Sequence, residues 1–152
     1  MPDLLAPGQG STMTRRRPDS TDRKDIAAAL QAARAIGALD IGQGAVAIGG
    51  RVVALEGAEG TDEMLGRVAQ LRSAGRLKTP GGVLVKCAKP GQEERADLPA
   101  IGLRTVENAH AAGLSGIAVE AGRSLILGYG DVLAASDRLG IFVSTFASET
   151  GA

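Results

Sequence analysis

Apolar residues in this chain fall into short clusters with two different periods. Ile26, Leu30, Ala33 and Ile36 recur at helical spacing, with Asp19 or Ser20 placed to cap and Gly37 to stop the segment. This predicts a helix over 21–36. Residues 45–48 and 51–56 flank Gly49-Gly50, the pattern of a two-residue hairpin turn between strands. Thr61 stands where an N-cap is expected, ahead of Asp62, Glu63 and a buried stripe of Met64, Leu65, Val68 and Leu71 that Gly75 ends. Val83-Leu84-Val85 reads as a buried strand, and Thr105 as the cap of a short helix ending at Gly113. Residues 117–120 and 124–127 read as strands joined by Ala121-Gly122-Arg123. A helix over 131–139 and a strand at Ile141-Phe142-Val143 follow.

Strands alternate with helices, and several strands are apolar throughout. The expected fold is α/β or α+β: a mixed β-sheet with helices packed on it, in one compact domain. Residues 1–18, rich in Pro, Gly, Ser and Thr and carrying Arg15-Arg16-Arg17, read as a linker or extended arm. Residues 19–146 form the domain, and 147–152 a small polar tail that frays.

With 152 residues the chain has the length of one domain. Its core must be aliphatic, because there are two Phe, one Tyr and no Trp. Lys plus Arg equals Asp plus Glu, so neither a basic excess nor an aromatic stacking surface favours nucleic acid. Cys87 and His110 are each the single residue of their kind, which excludes an internal disulfide and a cysteine-rich or two-histidine metal site. Cys87 reads as core packing and His110 as a packed or solvated residue. No apolar run is long enough to span a membrane, and Met1 to Leu5 do not resemble a secretory signal. A cytoplasmic location is expected.

The densest charge chemistry follows the buried strand. Lys86, Lys89, Arg95 and Asp97 sit on a loop broken by Pro90-Gly91. Cations at a strand end suit phosphate oxygens, and a carboxylate beside them suits a metal or an attacking water. Glu56, Glu59 and Asp62 form a second acidic group, of the kind that holds Mg²⁺ together with phosphate. Spacing alone favours a plainer role: Asp62 and Glu63 serve the helix N-terminus, while Glu56 and Glu59 face water. Gly60-Thr61 at a helix start offers backbone N–H groups to an anion.

Taken in order, these motifs resemble a known family. They are Asp40-Ile41-Gly42-Gln43, Glu56 through Leu65, Gly82-Val83-Leu84-Val85-Lys86 with Lys89-Pro90-Gly91-Gln92, Asp97-Leu98-Pro99 with Ile101-Gly102, and Gly116 through Gly122. The set is similar to the C-terminal domain of one family of UDP-2,3-diacylglucosamine pyrophosphatases of lipid A biosynthesis, the family unrelated to calcineurin-like phosphoesterases. It covers about residues 2–146. The chain departs from the family pattern at Lys86-Cys87-Ala88-Lys89-Pro90, at Leu103 and at Gly128.

The resemblance implies Mg²⁺-assisted hydrolysis of the substrate pyrophosphate to UMP and 2,3-diacylglucosamine 1-phosphate (lipid X). It implies an essential Asp97, as a metal ligand or as the activator of the attacking water, with Glu59 or Asp62 as candidates to complete the metal shell. Lys86, Lys89, Gln92, Arg95, Gln43 and Thr61 are then expected to bind substrate. It also implies an N-terminal domain of comparable size ahead of this one, and transient contact with a membrane surface, since the substrate is acylated. A homodimer is compatible with the sequence. The competing expectation is a non-catalytic nucleotide-sugar or lipid-binding domain derived from such an enzyme.

Overall fold

The computed structural model describes residues 4–7, 10–91 and 98–148. Gln92, Arg95, Asp97 and the end of the tail lie outside the described residues. The elements run β1 (Leu4–Leu5), α1 (Ser20–Ala38), β2 (Gly44–Ile48), β3 (Arg51–Leu55), α2 (Thr61–Ser73), β4 (Val83–Lys86), β5 (Ala100–Ile101), α3 (Leu103–Ala111), β6 (Gly116–Glu120), β7 (Leu125–Ile126), α4 (Tyr129–Leu139) and β8 (Phe142–Phe146). This is the expected α/β fold. Its main sheet has the order β3-β2-β4-β6-β8, antiparallel from β3 to β4 and parallel from β4 to β8.

β2, β4 and β6 are buried along their length because helices cover both faces of the sheet, whereas the edge strand β3 is largely open. Alternation along each strand divides the two cores. Ala45, Ala47, Val83, Val85, Ala118 and Phe142 face α1, which meets them with Ala29 and Ala33. The small side chains let this helix close on the sheet. Val46, Ile48, Leu84, Ile117, Val119 and Val143 face the other way, onto Met64 and Leu65 of α2, Val106 of α3 and Val132 of α4. Met64 and Leu65 are fully buried, and each contributes about 1.5–3 kcal/mol by leaving water.

Local signals explain most boundaries. Asp19 caps α1 through its Oδ1, which accepts the Asp22 N–H at 2.8 Å, while Asp22 Oδ2 accepts the Asp19 N–H at 3.0 Å. Gly49 and Gly50 both take positive φ in the β2–β3 turn, and buried Asp25 of α1 accepts the Gly50 N–H at 2.6 Å.

Two expectations are corrected. Thr61 does not cap α2; Gly60 occupies that position with no side-chain bond, and Thr61 is the first helical residue. Thr105 lies inside α3 rather than ahead of it, and its Oγ1 accepts the N–H of Gly102 at 3.1 Å. The strands joined by Ala121-Gly122-Arg123 are both present, but they do not pair with each other. Both edges of β6 are already taken by β4 and β8, so β7 pairs instead with β1 and β5 in a small second sheet.

Within the N-terminal arm, Leu4–Leu5 belong to the second sheet, whereas residues 11–14 lie along the main one. Thr12 bridges to Ser144, and Thr14 Oγ1 accepts the Val143 N–H at 3.0 Å, which covers the outer edge of β8. Past β8, Ser148 is buried and donates to Glu120 Oε2 at 2.8 Å. The chain is therefore still held at Ser148, where fraying was expected.

Candidate active site

β3, β4, β6 and β8 run in the same direction, so their carboxyl ends share one edge of the sheet. The start of β2 lies there too, because Gly44 pairs with Lys86. Such an edge is where open α/β sheets collect binding groups.

Glu56 follows β3 and is buried, contrary to the expectation that it faces water. Its Oε1 accepts the Gln43 N–H at 2.9 Å, and its Oε2 accepts the Thr61 hydroxyl. The close approach of two backbones permits this: a Cβ on Gly42 would overlap the Glu56 carbonyl. In the sequence Glu56 stands in an acidic group and reads as solvated, so its buried role is not apparent there. Its signal was Gly42-Gln43-Gly44, a glycine loop that has to make room for something.

Lys86 ends β4 and is also buried. Its Nζ donates to the Ala100 carbonyl at 3.0 Å. Burial pushes the ammonium below the ordinary lysine range, and the charges of Glu56 and Asp62 oppose that shift. Lys86, Glu56, Thr61, Gln43 and Asp62 thus form one polar group at the sheet edge.

Asp62 is half exposed on the first turn of α2. Its Oδ1 accepts from Asn108 Nδ2 at 3.0 Å, and its Oδ2 lies 3.9 Å from Arg104 Nε, so α3 holds it from the far side. Glu59 is turned elsewhere: it accepts the Gly57 N–H at 2.6 Å and pairs with Arg67 at 3.2 Å. Lys89 Nζ meets Asp40 Oδ1 at 2.8 Å, which links the loop after β4 to the loop before β2 and holds the Asp40 carboxyl below the usual carboxylate range. Cys87 is buried in the core against α1, and His110 is exposed on α3.

Thr61 and Asp62 of this group line a cleft of about 520 Å³ with two unlike sets of side chains; Lys86 meets it only through its bond to the lining residue Ala100. Thr61, Asp62 and Arg104 form the polar set, and Ile101, Leu103 and Leu127 the apolar one. Leu103 and Leu127 are among the exposed large hydrophobics of the chain, as are Leu39 and Ile41 just before Gln43. A second cleft, of about 540 Å³, lies beside β8 and includes Arg17, Arg23 and Thr145.

Among the described residues no three His, Cys, Asp or Glu side chains are grouped to hold a metal. Mg²⁺ needs less: one or two carboxylates, with substrate phosphate and water completing its shell. Asp62 fits that requirement, whereas Glu59 is taken by Arg67. Among the described residues no helix is long and apolar enough to cross a membrane.

Comparison with known proteins agrees with the motif order. The model of the LpxI C-terminal domain matches residues 9–144. The UDP-2,3-diacylglucosamine pyrophosphatase LpxI of Caulobacter vibrioides is 55% identical over 121 residues, which cover 78% of this chain and 43% of that protein. The chain thus spans less than half the length of that relative. With most of its residues inside the family match, including every described residue of the polar group, the chain belongs to the LpxI C-terminal domain family.

Proposed function

We propose that this domain serves the hydrolysis of UDP-2,3-diacylglucosamine at its pyrophosphate, with UMP and 2,3-diacylglucosamine 1-phosphate as products. The observation that carries the reading is the cleft with its two unlike sets of side chains. Thr61, Asp62 and Arg104 suit a pyrophosphate, with buried Lys86 bonded to the lining residue Ala100, while Ile101, Leu103 and Leu127 suit an acyl chain. The Caulobacter relative is named for the same reaction.

In this reading Lys86 is the fixed charge for the phosphates. Its tie to the Ala100 carbonyl and the neighbouring Glu56 and Asp62 hold it in place before substrate arrives, so little reorganisation accompanies binding. Lys89 and Arg95 add positive charge from the loop, with Gln43, Gln92 and Thr61 as polar contacts. Asp62 and Asp97 would hold Mg²⁺, which when bound would neutralise pyrophosphate charge. Asp97 orients or deprotonates the attacking water. The acylated substrate brings the domain to a membrane surface, and the remainder of a full-length relative would supply the facing wall of the site.

The test is direct. The chain is incubated with UDP-2,3-diacylglucosamine and Mg²⁺, and UMP is followed by chromatography. UMP release that Asp97→Asn abolishes supports the proposal. Tight binding of substrate with no UMP, even with the missing part of a full-length relative added, would make this a binding domain instead.

A further inference from the structure

We propose that Glu56 is a positioning residue, which fastens the glycine loop carrying Gln43 to the first turn of α2 and so fixes the polar lining of the cleft. The inference rests on the phosphate-binding reading above for its functional consequence, but not for its geometry.

Contacts from the loop before β2 converge on this one residue. The Gln43 N–H donates to Glu56 Oε1 at 2.9 Å, and the main-chain N–H of Glu56 donates to the Gly44 carbonyl at 2.9 Å. Gly42 lies so close that only a missing side chain leaves room for the Glu56 carbonyl. On the other side, Thr61 donates to Glu56 Oε2 from α2. The Gln43 peptide is held at its far end as well, since its carbonyl accepts the Cys87 N–H at 2.9 Å. Gln43 is therefore the joint between the β3–α2 connection, which leads to the cleft residue Thr61, and the chain leaving β4. Glu56 is the side chain that closes that joint.

A carboxylate is suited to this because it only accepts, and both groups that reach it are donors. Glutamine would keep one acceptor for Gln43, and its amide N–H could turn to the Thr61 hydroxyl, which also accepts. Alanine would leave both donors without a partner in a buried place.

The experiment compares Glu56→Ala and Glu56→Gln in the same chain, each checked for folding by circular dichroism and thermal unfolding. Two quantities are read: hydrogen exchange of the Gln43 amide by NMR, and the dissociation constant for inorganic pyrophosphate by calorimetry. In Glu56→Ala, Gln43 exchange should rise at least about tenfold, the scale of one lost buried hydrogen bond. Pyrophosphate should bind at least about fivefold more weakly, whereas Glu56→Gln should stay within about twofold on both readouts. A purely structural carboxylate would change stability and leave pyrophosphate affinity alone. If Glu56→Ala does not fold, Thr61→Val severs only the link to α2, and Gln43 exchange should still rise. Wild-type exchange at Gln43 in Glu56→Ala, or in Thr61→Val should that be the variant left, would overturn the inference. So would a Glu56→Gln protein as impaired as Glu56→Ala. If wild-type chain does not bind pyrophosphate, the phosphate reading fails, while the exchange data still decide the anchor.

Discussion

Lys86 Nζ donates to the main-chain carbonyl of Ala100 at 3.0 Å, so the two ends of the segment that leaves β4 and returns at β5 are fastened by a buried ammonium. The same bond makes Lys86 both a candidate phosphate ligand and a closure for its loop. It also sets a cost, because the ammonium is taken out of water.

That cost predicts a pH dependence. Burial lowers the folded-state pKa of Lys86 below its ordinary value. Between the lowered value and the ordinary lysine range, the unfolded chain binds the extra proton and the folded chain does not. Stability attributable to this group must therefore rise with pH across that window and level off above it. Denaturant unfolding at a series of alkaline pH values should show this rise in wild type relative to Lys86→Met. Parallel pH profiles for the two proteins would contradict it.

Gly42→Ala should be among the most damaging single changes. Its Cβ would overlap the carbonyl of Glu56, which is backbone and cannot swing aside. A loss of about 3 kcal/mol is expected. Gly66→Ala, on α2 with open space around the added Cβ, is the control; it should be neutral or stabilising by up to about 1 kcal/mol. Urea unfolding of both variants measures the contrast.

Glu120 anchors the start of the charged loop from β6. Its Oε1 accepts the Ala88 N–H at 3.0 Å and its Oε2 accepts the Ser148 hydroxyl at 2.8 Å, in a buried position. Glu120→Ala leaves those donors without their acceptor and should destabilise by about 1–3 kcal/mol. Thermal unfolding gives the size, and faster amide exchange at Ala88 should accompany it.

The Asp40–Lys89 pair makes a different prediction. Asp40 is largely exposed, so Asp40→Asn should leave thermal stability unchanged. It should tighten pyrophosphate binding by about threefold, because an exposed carboxylate no longer competes for the lysine. Weaker binding would mean that the pair holds the loop in its useful shape.

The fold was largely legible because its signals are local. Asp19 caps α1, the stripe Ile26, Leu30, Ala33 and Ile36 marks its buried face, and Gly49-Gly50 makes the β2–β3 turn. The destination of β7 was not legible. Ala121-Gly122-Arg123 joins two strands, and nothing near it reveals that β4 and β8 already fill both edges of β6. The site divides in the same way. Lys86 stood out as a cation at a strand end, as the structure has it. Glu56 did not, because an acidic residue beside glycines reads as solvated until the Gly42 backbone is brought against it. Glu59, which looked equivalent, is drawn off by Arg67 in the second turn of α2.

The central claim is that the cleft at the carboxyl edge of the sheet receives the substrate. The most direct measurement is a titration of the isotopically labelled chain with UDP-2,3-diacylglucosamine in detergent, followed by backbone amide shifts. The account predicts that the largest changes fall on Gln43, Thr61, Lys86 and the Gly102–Thr105 turn. Changes confined to the cleft of Arg17, Arg23 and Thr145 beside β8, with those residues silent, would contradict it.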